Sequence, residues 1–231
     1  MELFLNKDIF LEKYREDFEK NQKVIIKNFF ISNFAELILK YLDKIPKDRW
    51  ELCSVYGGNK KYEAFDTDKN KKVNQSVKTK ALNSFMKREF SFMFYKTLHT
   101  KHTLNQIEFN IKKIFSSQEF IDYLNYLTNE KISKMNDIFI SKYSKDCFLA
   151  PHCDVNNGKL AITVYLSKHW KPEYGGNLCF LNEKRNKIME TITPEFNSMT
   201  VFSIPKLTGI PHFVSHNNIY KNRYTITLWY N

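Results

Sequence analysis

Glycine and proline are scarce, six of each in 231 residues. That excludes collagen-like chains and Pro/Gly-rich low-complexity chains. No apolar run approaches the ~18 residues that a membrane-spanning helix needs. The opening MELFLNKDIF mixes acids with short apolar stretches, so neither a secretory signal nor a transit peptide is expected there. Four cysteines, Cys53, Cys147, Cys153 and Cys179, include no CxxC pair. A structural zinc site is therefore not expected, and reduced thiols in a cytoplasmic protein are. Internal repeats and a clear linker are also missing, and one compact domain is expected at this length.

What the chain does have is aromatic surface. Phe, Trp and Tyr make up 16% of it, a density that must bury somewhere and excludes a disordered chain. Net charge is +11. Such a balance suits acidic partners, but Lys and Asn are abundant throughout, and no RNP signature, zinc-finger spacing or Arg-rich arm accompanies them. Charge alone carries no nucleic-acid reading, and neither nucleic acid nor membrane is expected as a partner.

The fold class read from the pattern is α+β, with helices in residues 1–135 buttressing a β core in residues 136–231. Ile9, Phe10, Tyr14 and Phe18 recur at helical spacing across 7–21. KVIIKNFF (23–30) reads as a strand. Asn33 with Glu36 resembles a capping box opening a helix to about Lys44, and Ser116 with Glu119 resembles a second one. Phe120, Tyr123, Leu124 and Leu127 share one face of the helix that follows. KREFSFMFYKT (87–97) reads as a strand. Residues 56–80 are polar and begin with Gly57-Gly58, which predicts a long loop that could act as a lid. His99 and His102, in LHTKHT, are expected at the core edge or in solvent. Trp50 is expected as a core anchor.

From about Asn136, seven short runs rich in Ile, Val, Thr, Tyr and Phe follow within about 95 residues. Turn signals such as Asn157-Gly158 and Gly175-Gly176 separate them. This texture predicts an antiparallel sandwich or jelly roll.

Chemistry concentrates in this region. Pro151-His152-Cys153-Asp154 places an imidazole and a carboxylate two residues apart, on one face of an extended chain. A third ligand, His212 or His216, would complete a two-histidine, one-carboxylate set that leaves positions open on a ferrous ion. Cys153 would point away. Arg223 opens the alternating run Arg223–Tyr230, and a planar guanidinium there suits a bidentate carboxylate. Thr227 and Trp229 share its side of the strand, where pocket lining and core packing both fit. His169 is expected at the surface. HxD alone is a weak signal. The further His 58 residues after Asp154, and an Arg 11 residues after His212, make it much more specific.

Those residues carry a resemblance. The stretch Tyr143–Tyr230, about 90 residues, is similar to the catalytic core of the 2-oxoglutarate- and Fe(II)-dependent dioxygenases, in their prolyl-hydroxylase-like branch. The matching segments are KYSKDCFLAPHCD (142–154), VYLSKHW (164–170), KPEYGGNLCF (171–180), ITPEFNSMTVF (192–202), PHFV (211–214) and RYTITLWY (223–230). The resemblance implies a double-stranded β-helix (jelly roll) core. It implies His152, Asp154 and His212 as iron ligands, with His216 the alternative to His212. Arg223 and Tyr165 would hold the distal carboxylate of 2-oxoglutarate, with Tyr143 and, less directly, Thr227 in the pocket. Fe(II), 2-oxoglutarate and O2 are then the cofactor set, with ascorbate as an accessory reductant. Related halogenases replace the ligand carboxylate with a small residue, so Asp154 implies hydroxylation. The expected substrate is a prolyl or other residue of a protein or peptide; a free amino acid or small metabolite is the alternative, and an inactive binding module a further one.

Overall fold

The computed structural model describes residues 4–98 and 103–231, so His99 and His102 lie outside the described residues. Helices α1 (Glu12–Asn21), α2 (Ser32–Leu42), α3 (Lys71–Met86), α4 (Gln106–Ser116) and α5 (Gln118–Thr128) all precede residue 135. Among them come strands β1 (Lys23–Ile26), β2 (Glu51–Tyr56), β3 (Lys60–Phe65) and β4 (Phe92–Thr97). Eight more strands follow: β5 (Met135–Tyr143), β6 (Phe148–His152), β7 (Leu160–Tyr165), β8 (Leu178–Leu181), β9 (Ile188–Ile192), β10 (Ser198–Ser203), β11 (His212–Val214) and β12 (Arg223–Tyr230).

All described strands join one antiparallel sheet, in the order β1-β10-β7-β12-β5-β4-β6-β11-β8-β9, with β2 on β4 and β3 on β2. The sheet curls on itself, and β4 is its corner. Lys96 and Thr97 pair with Ser141 and Ile140 of β5, while Phe92 and Met93 pair with Leu149 and Phe148 of β6. The five strands from β1 to β5 thereby face the four from β6 to β9. The fold is the expected α+β jelly roll, with the helices outside it.

The helices pack because their apolar faces match. Phe29, Phe30, Phe115 and Phe120 form one ring cluster with centroid separations of 4.7–6.1 Å. Phe29, Phe30, Phe115 and Phe120 are all essentially without exposed surface, and each contributes about 1.5–3 kcal/mol of burial. Tyr230 Oη donates to Phe115 O at 2.6 Å, tying α4 to the end of β12. As expected, Trp50 is a core anchor, 1% exposed and stacked on Tyr224.

Several local expectations need correction. Residues 56–80 are not a loop. They complete the β2–β3 hairpin and continue into α3. The two glycines are the hairpin tip, both at positive φ, and Asn74, Val77, Ala81 and Ser84 give α3 a buried face at helical spacing. That face holds two polar residues, so its period is hidden from a purely apolar count. The run 23–30 is a strand only to Ile26, because the Asn197 side chain takes over both backbone bonds of Phe30. Leu11, in extended conformation, splits the first helical stretch in two. The caps also move: α2 has no side-chain cap, α5 is capped by Ser117, and the capping box belongs to Asn105 and Glu108 on α4.

Candidate metal centre

His152 is the last residue of β6, and His212 the first of β11. They are direct register partners across the antiparallel pair. Cross-strand partners project to the same face, so their rings meet at 4.3 Å between centroids. Asp154 lies just beyond the end of β6, in a turn that its own groups hold: its carbonyl accepts from Asn157 N and its Oδ1 from Asn157 Nδ2, both at 3.0 Å. The turn swings the carboxylate between the two imidazoles. His152 Nε2 stands 3.5 Å from Asp154 Oδ1, and His212 Nε2 3.5 Å from Oδ2.

Both imidazoles are oriented in the same way. His152 Nδ1 bonds Ala150 O at 3.1 Å, and His212 Nδ1 bonds Ile210 O at 2.7 Å. A carbonyl only accepts, so each Nδ1 carries the proton and each Nε2 presents a lone pair. Two lone pairs and a carboxylate therefore converge, with all candidate ligand atoms within 4.8 Å of one another. Burial alone would raise the Asp154 carboxyl. With no metal bound, His152 and His212 in their doubly protonated form donate Nε2–H and lend positive charge to it, which outweighs burial and holds the group well below the usual carboxylate range. The neutral rings instead turn their Nε2 lone pairs toward a metal.

His216 does not join this group. Its ring stacks on Phe148 at 4.4 Å and meets Phe85 at 4.6 Å. The open choice between the two histidines thus goes to His212 on geometry. Cys153 turns away from the convergence point, with its Sγ 3.4 Å from Arg185 Nη2, and His169 is exposed; both match expectation.

A cavity of about 640 Å3 opens over the three donors. Arg223, Tyr143, Thr225 and Thr227 line it from β12 and β5. Arg223 is only 2% exposed. No acid pairs with it among the described residues, and its Nε has no hydrogen-bond partner. Its guanidinium carbon stands 4.9 Å from the Tyr143 ring and 5.4 Å from the Tyr165 ring. Burial lowers its proton affinity. A buried, unpaired cation is costly, and the geometry here fits an anion entering from the cavity. Tyr165 is fully buried behind Arg223 and is not among the cavity-lining residues; its Oη accepts from Thr200 Oγ1 at 3.3 Å, which leaves its own proton free to donate.

Three features were not read from the sequence. The first is a wall of rings, Phe90, Phe92, Phe94 and Phe139, along the same cavity. Its signal was present: phenylalanine at every second residue of FSFMF puts Phe92 and Phe94 on one face of β4, with Phe90 two residues before them. The second is Gly176. Its φ is +65°, and a Cβ there would sit 2.9 Å from Arg223 Cδ and 3.4 Å from the Trp170 ring. The glycine thus serves Arg223 as well as the turn. The third is the pair of carbonyls, Ala150 and Ile210, that set the histidine tautomers; no side-chain pattern announces a backbone acceptor.

Residues 138–231 match the family model of the 2OG-Fe(II) oxygenase superfamily. No curated protein matches the chain in sequence. Among solved structures, an oxidoreductase of the 2OG-Fe(II) oxygenase family from Burkholderia pseudomallei superposes with a TM-score of 0.60 at 11% identity, covering 95% of this chain and 90% of that one. A prolyl-4-hydroxylase from Pseudomonas putida gives 0.56 at 12% identity, covering 95% and 97%. A prolyl hydroxylase from Trichoplax adhaerens, in complex with a hypoxia inducible factor oxygen degradation domain peptide fragment, gives 0.52 at 19% identity, covering 97% and 93%. At these identities the likeness is one of fold. The superfamily is the one that the sequence resemblance named, and prolyl-hydroxylase-like structures are among the neighbours.

Proposed function

We propose, taking as premise that residues 138–231 are those of a 2OG-Fe(II) oxygenase, that this chain hydroxylates a C–H bond with Fe(II), 2-oxoglutarate and O2. The observation that carries the reading is the buried, acid-free Arg223 in the same cavity as the His152, Asp154 and His212 donors. The donor set suits non-haem Fe(II), and the guanidinium suits a dicarboxylate co-substrate. Bound iron supplies the activation of O2 that turns C–H into C–OH while 2-oxoglutarate becomes succinate and CO2.

The protein's part is orientation. His152 and His212 offer Nε2 because Ala150 and Ile210 hold the Nδ1 protons. Asp154 stays ionised between them and offers both oxygens. Arg223 would hold the distal carboxylate of 2-oxoglutarate, with Tyr143 beside it in the cavity wall and Tyr165 behind it, the two rings that flank its guanidinium. Thr227 adds a hydroxyl to the wall. Four free cysteines suit a reducing cytoplasm, and ascorbate would act as accessory reductant.

The substrate in this reading is a prolyl or other residue of a protein or peptide, a reading that the peptide-bound Trichoplax neighbour supports at the level of fold. A free amino acid or small metabolite is the second reading. It is favoured by the size of the cavity, about 640 Å3, which accommodates a co-substrate and a small second group.

Succinate formation from 2-oxoglutarate tests the reading. The wild-type protein should show Fe(II)-dependent turnover, and His152→Ala and Asp154→Ala should lose it. Arg223→Ala should weaken 2-oxoglutarate far more than iron. Wild-type-like turnover in either ligand variant would remove the metal assignment.

A further inference from the structure

The cavity's wall is chemically one-sided. Apart from the metal-binding set and Arg223, the charged side chains lining it are Lys61 and Asp137, both exposed at its mouth. Between mouth and metal centre the lining is hydroxyls, apolar groups and rings. The rings are ordered. Phe92 and Phe94 lie 5.3 Å apart at 25°, Phe94 and Phe139 5.9 Å apart at 12°, and Phe94 and Tyr143 5.3 Å apart at 17°. Four rings thus share nearly one plane direction. Phe90 closes the outer end of this series, 6.0 Å from Phe92 at 66° and 6.1 Å from the His152 ring. Phe90 is 39% exposed, although it lines the cavity beside a candidate iron ligand.

The exposed part of Phe90 adds to an apolar surface that is contiguous with Phe92, Phe94 and Phe139 along the cavity. Phe90 and Phe92 make a face-and-edge corner, the geometry that aromatic rings prefer in contact with another ring. A carboxylate carried to this corner would meet ring faces of like polarity and lose its hydration. An ammonium would trade its hydration for ring faces alone, which a lysyl probe tests. A flat, neutral ring seated in the corner would meet a ring face and a ring edge together, the contacts that aromatic pairs prefer.

We propose that the group oxidised by this site is an uncharged aromatic ring, or a carbon attached to one, held in the Phe90/Phe92 corner. The proposal rests on the hydroxylase reading above and narrows its substrate to an aromatic side chain or an aromatic small molecule. A prolyl ring is the alternative occupant that the test separates.

The test is calorimetric binding to the anaerobic Fe(II)–2-oxoglutarate protein, with the charge-transfer band of that complex recorded in the same samples. The probes are p-cresol, N-acetyl-phenylalaninamide, N-acetyl-prolinamide and N-acetyl-lysinamide. The aromatic probes should bind at least about tenfold more tightly than the prolyl and lysyl ones, the scale of one stacking contact. Phe90→Ala, at a position 39% exposed, should remove most of that preference and keep the band. Phe92→Leu, which keeps apolar volume, should also reduce it. Equal or tighter binding of the prolyl probe, no aromatic binding, or an unchanged preference in Phe90→Ala would overturn the ring pocket. Absence of the band in wild-type protein would instead overturn the hydroxylase reading, whether or not a ring binds.

Discussion

At the residue scale, the site depends as much on what is absent as on what is present. Gly176 lets the Arg223 stem pass where a methyl group would stand 2.9 Å from Cδ. Gly176→Ala should therefore raise the 2-oxoglutarate dissociation constant about tenfold or more, the effect of misplacing one charge-assisted fork, and leave Fe(II) affinity unchanged. Equal loss of both would indicate collapse of the turn and no specific hold on Arg223. The sequence made the polar half of this site legible. His152, Asp154, His212 and Arg223 are types with few other uses at those spacings. It did not distinguish His212 from His216 on residue chemistry, because what separates them is packing: Phe148 and Phe85 occupy the faces of His216. Nor did it assign Gly176, since a glycine required by φ and one required by a neighbour look alike in a sequence.

At the element scale, β5 carries two environments on alternate residues. Tyr143 faces the cavity. Lys142 faces the other way, its Nζ 4.4 Å from the Trp50 ring centroid and 4.6 Å from that of Tyr95. Burial pulls its ammonium down to about 8, from an ordinary 10.5. Between those values the unfolded chain holds a proton that the folded chain has released, so stability should rise with pH across that window. The buried thiols of Cys53, Cys147 and Cys179 are pushed up and oppose this trend, so the Lys142 contribution is read as a difference. Between about pH 7.5 and about pH 9.5 the urea midpoint of wild type should gain relative to that of Lys142→Met. An equal pH response in both would place the titration elsewhere. The hairpin β2–β3 and helix α3 are the elements that the sequence hid most. Their buried positions include Ser54, Asn74 and Ser84, whose partners are Phe92 O, Tyr62 Oη and Gly57 N. A buried polar residue with a long-range partner looks the same in sequence as a solvated one. The ring-rich β4 and β12 strands, by contrast, followed the period of two that their residues announced.

At the scale of the whole molecule, the sheet ignores the division near residue 135 that composition suggests. β4 sits between β5 and β6, and β1 pairs with β10, so the N-terminal part supplies the corner strand of the jelly roll as well as its helical backing. Residues 136–231 expressed alone should then fail to fold, showing no cooperative thermal transition and fast amide exchange in β5 and β6, whose unpaired edges β4 would otherwise satisfy. A cooperative transition in that fragment would make the helical half an appendage. The texture change at Asn136 was real in the sequence. What it could not show is that the strands read separately at 23–30 and 87–97 contribute to the same sheet, because their partners lie far along the chain, Phe202 for Lys23 and Leu149 for Phe92, and such pairing leaves no local pattern.

The central claim is that His152, Asp154, His212 and Arg223 form one centre for Fe(II) and 2-oxoglutarate. Anaerobic titration of metal-free protein with Fe(II) and then 2-oxoglutarate, following the visible metal-to-ligand charge-transfer band, tests it most directly. The band should form in wild type at one equivalent of each, vanish in His152→Ala, and in Arg223→Ala require much more 2-oxoglutarate. A folded wild-type protein that gives no band, or a His152→Ala variant that keeps it, would contradict the assignment.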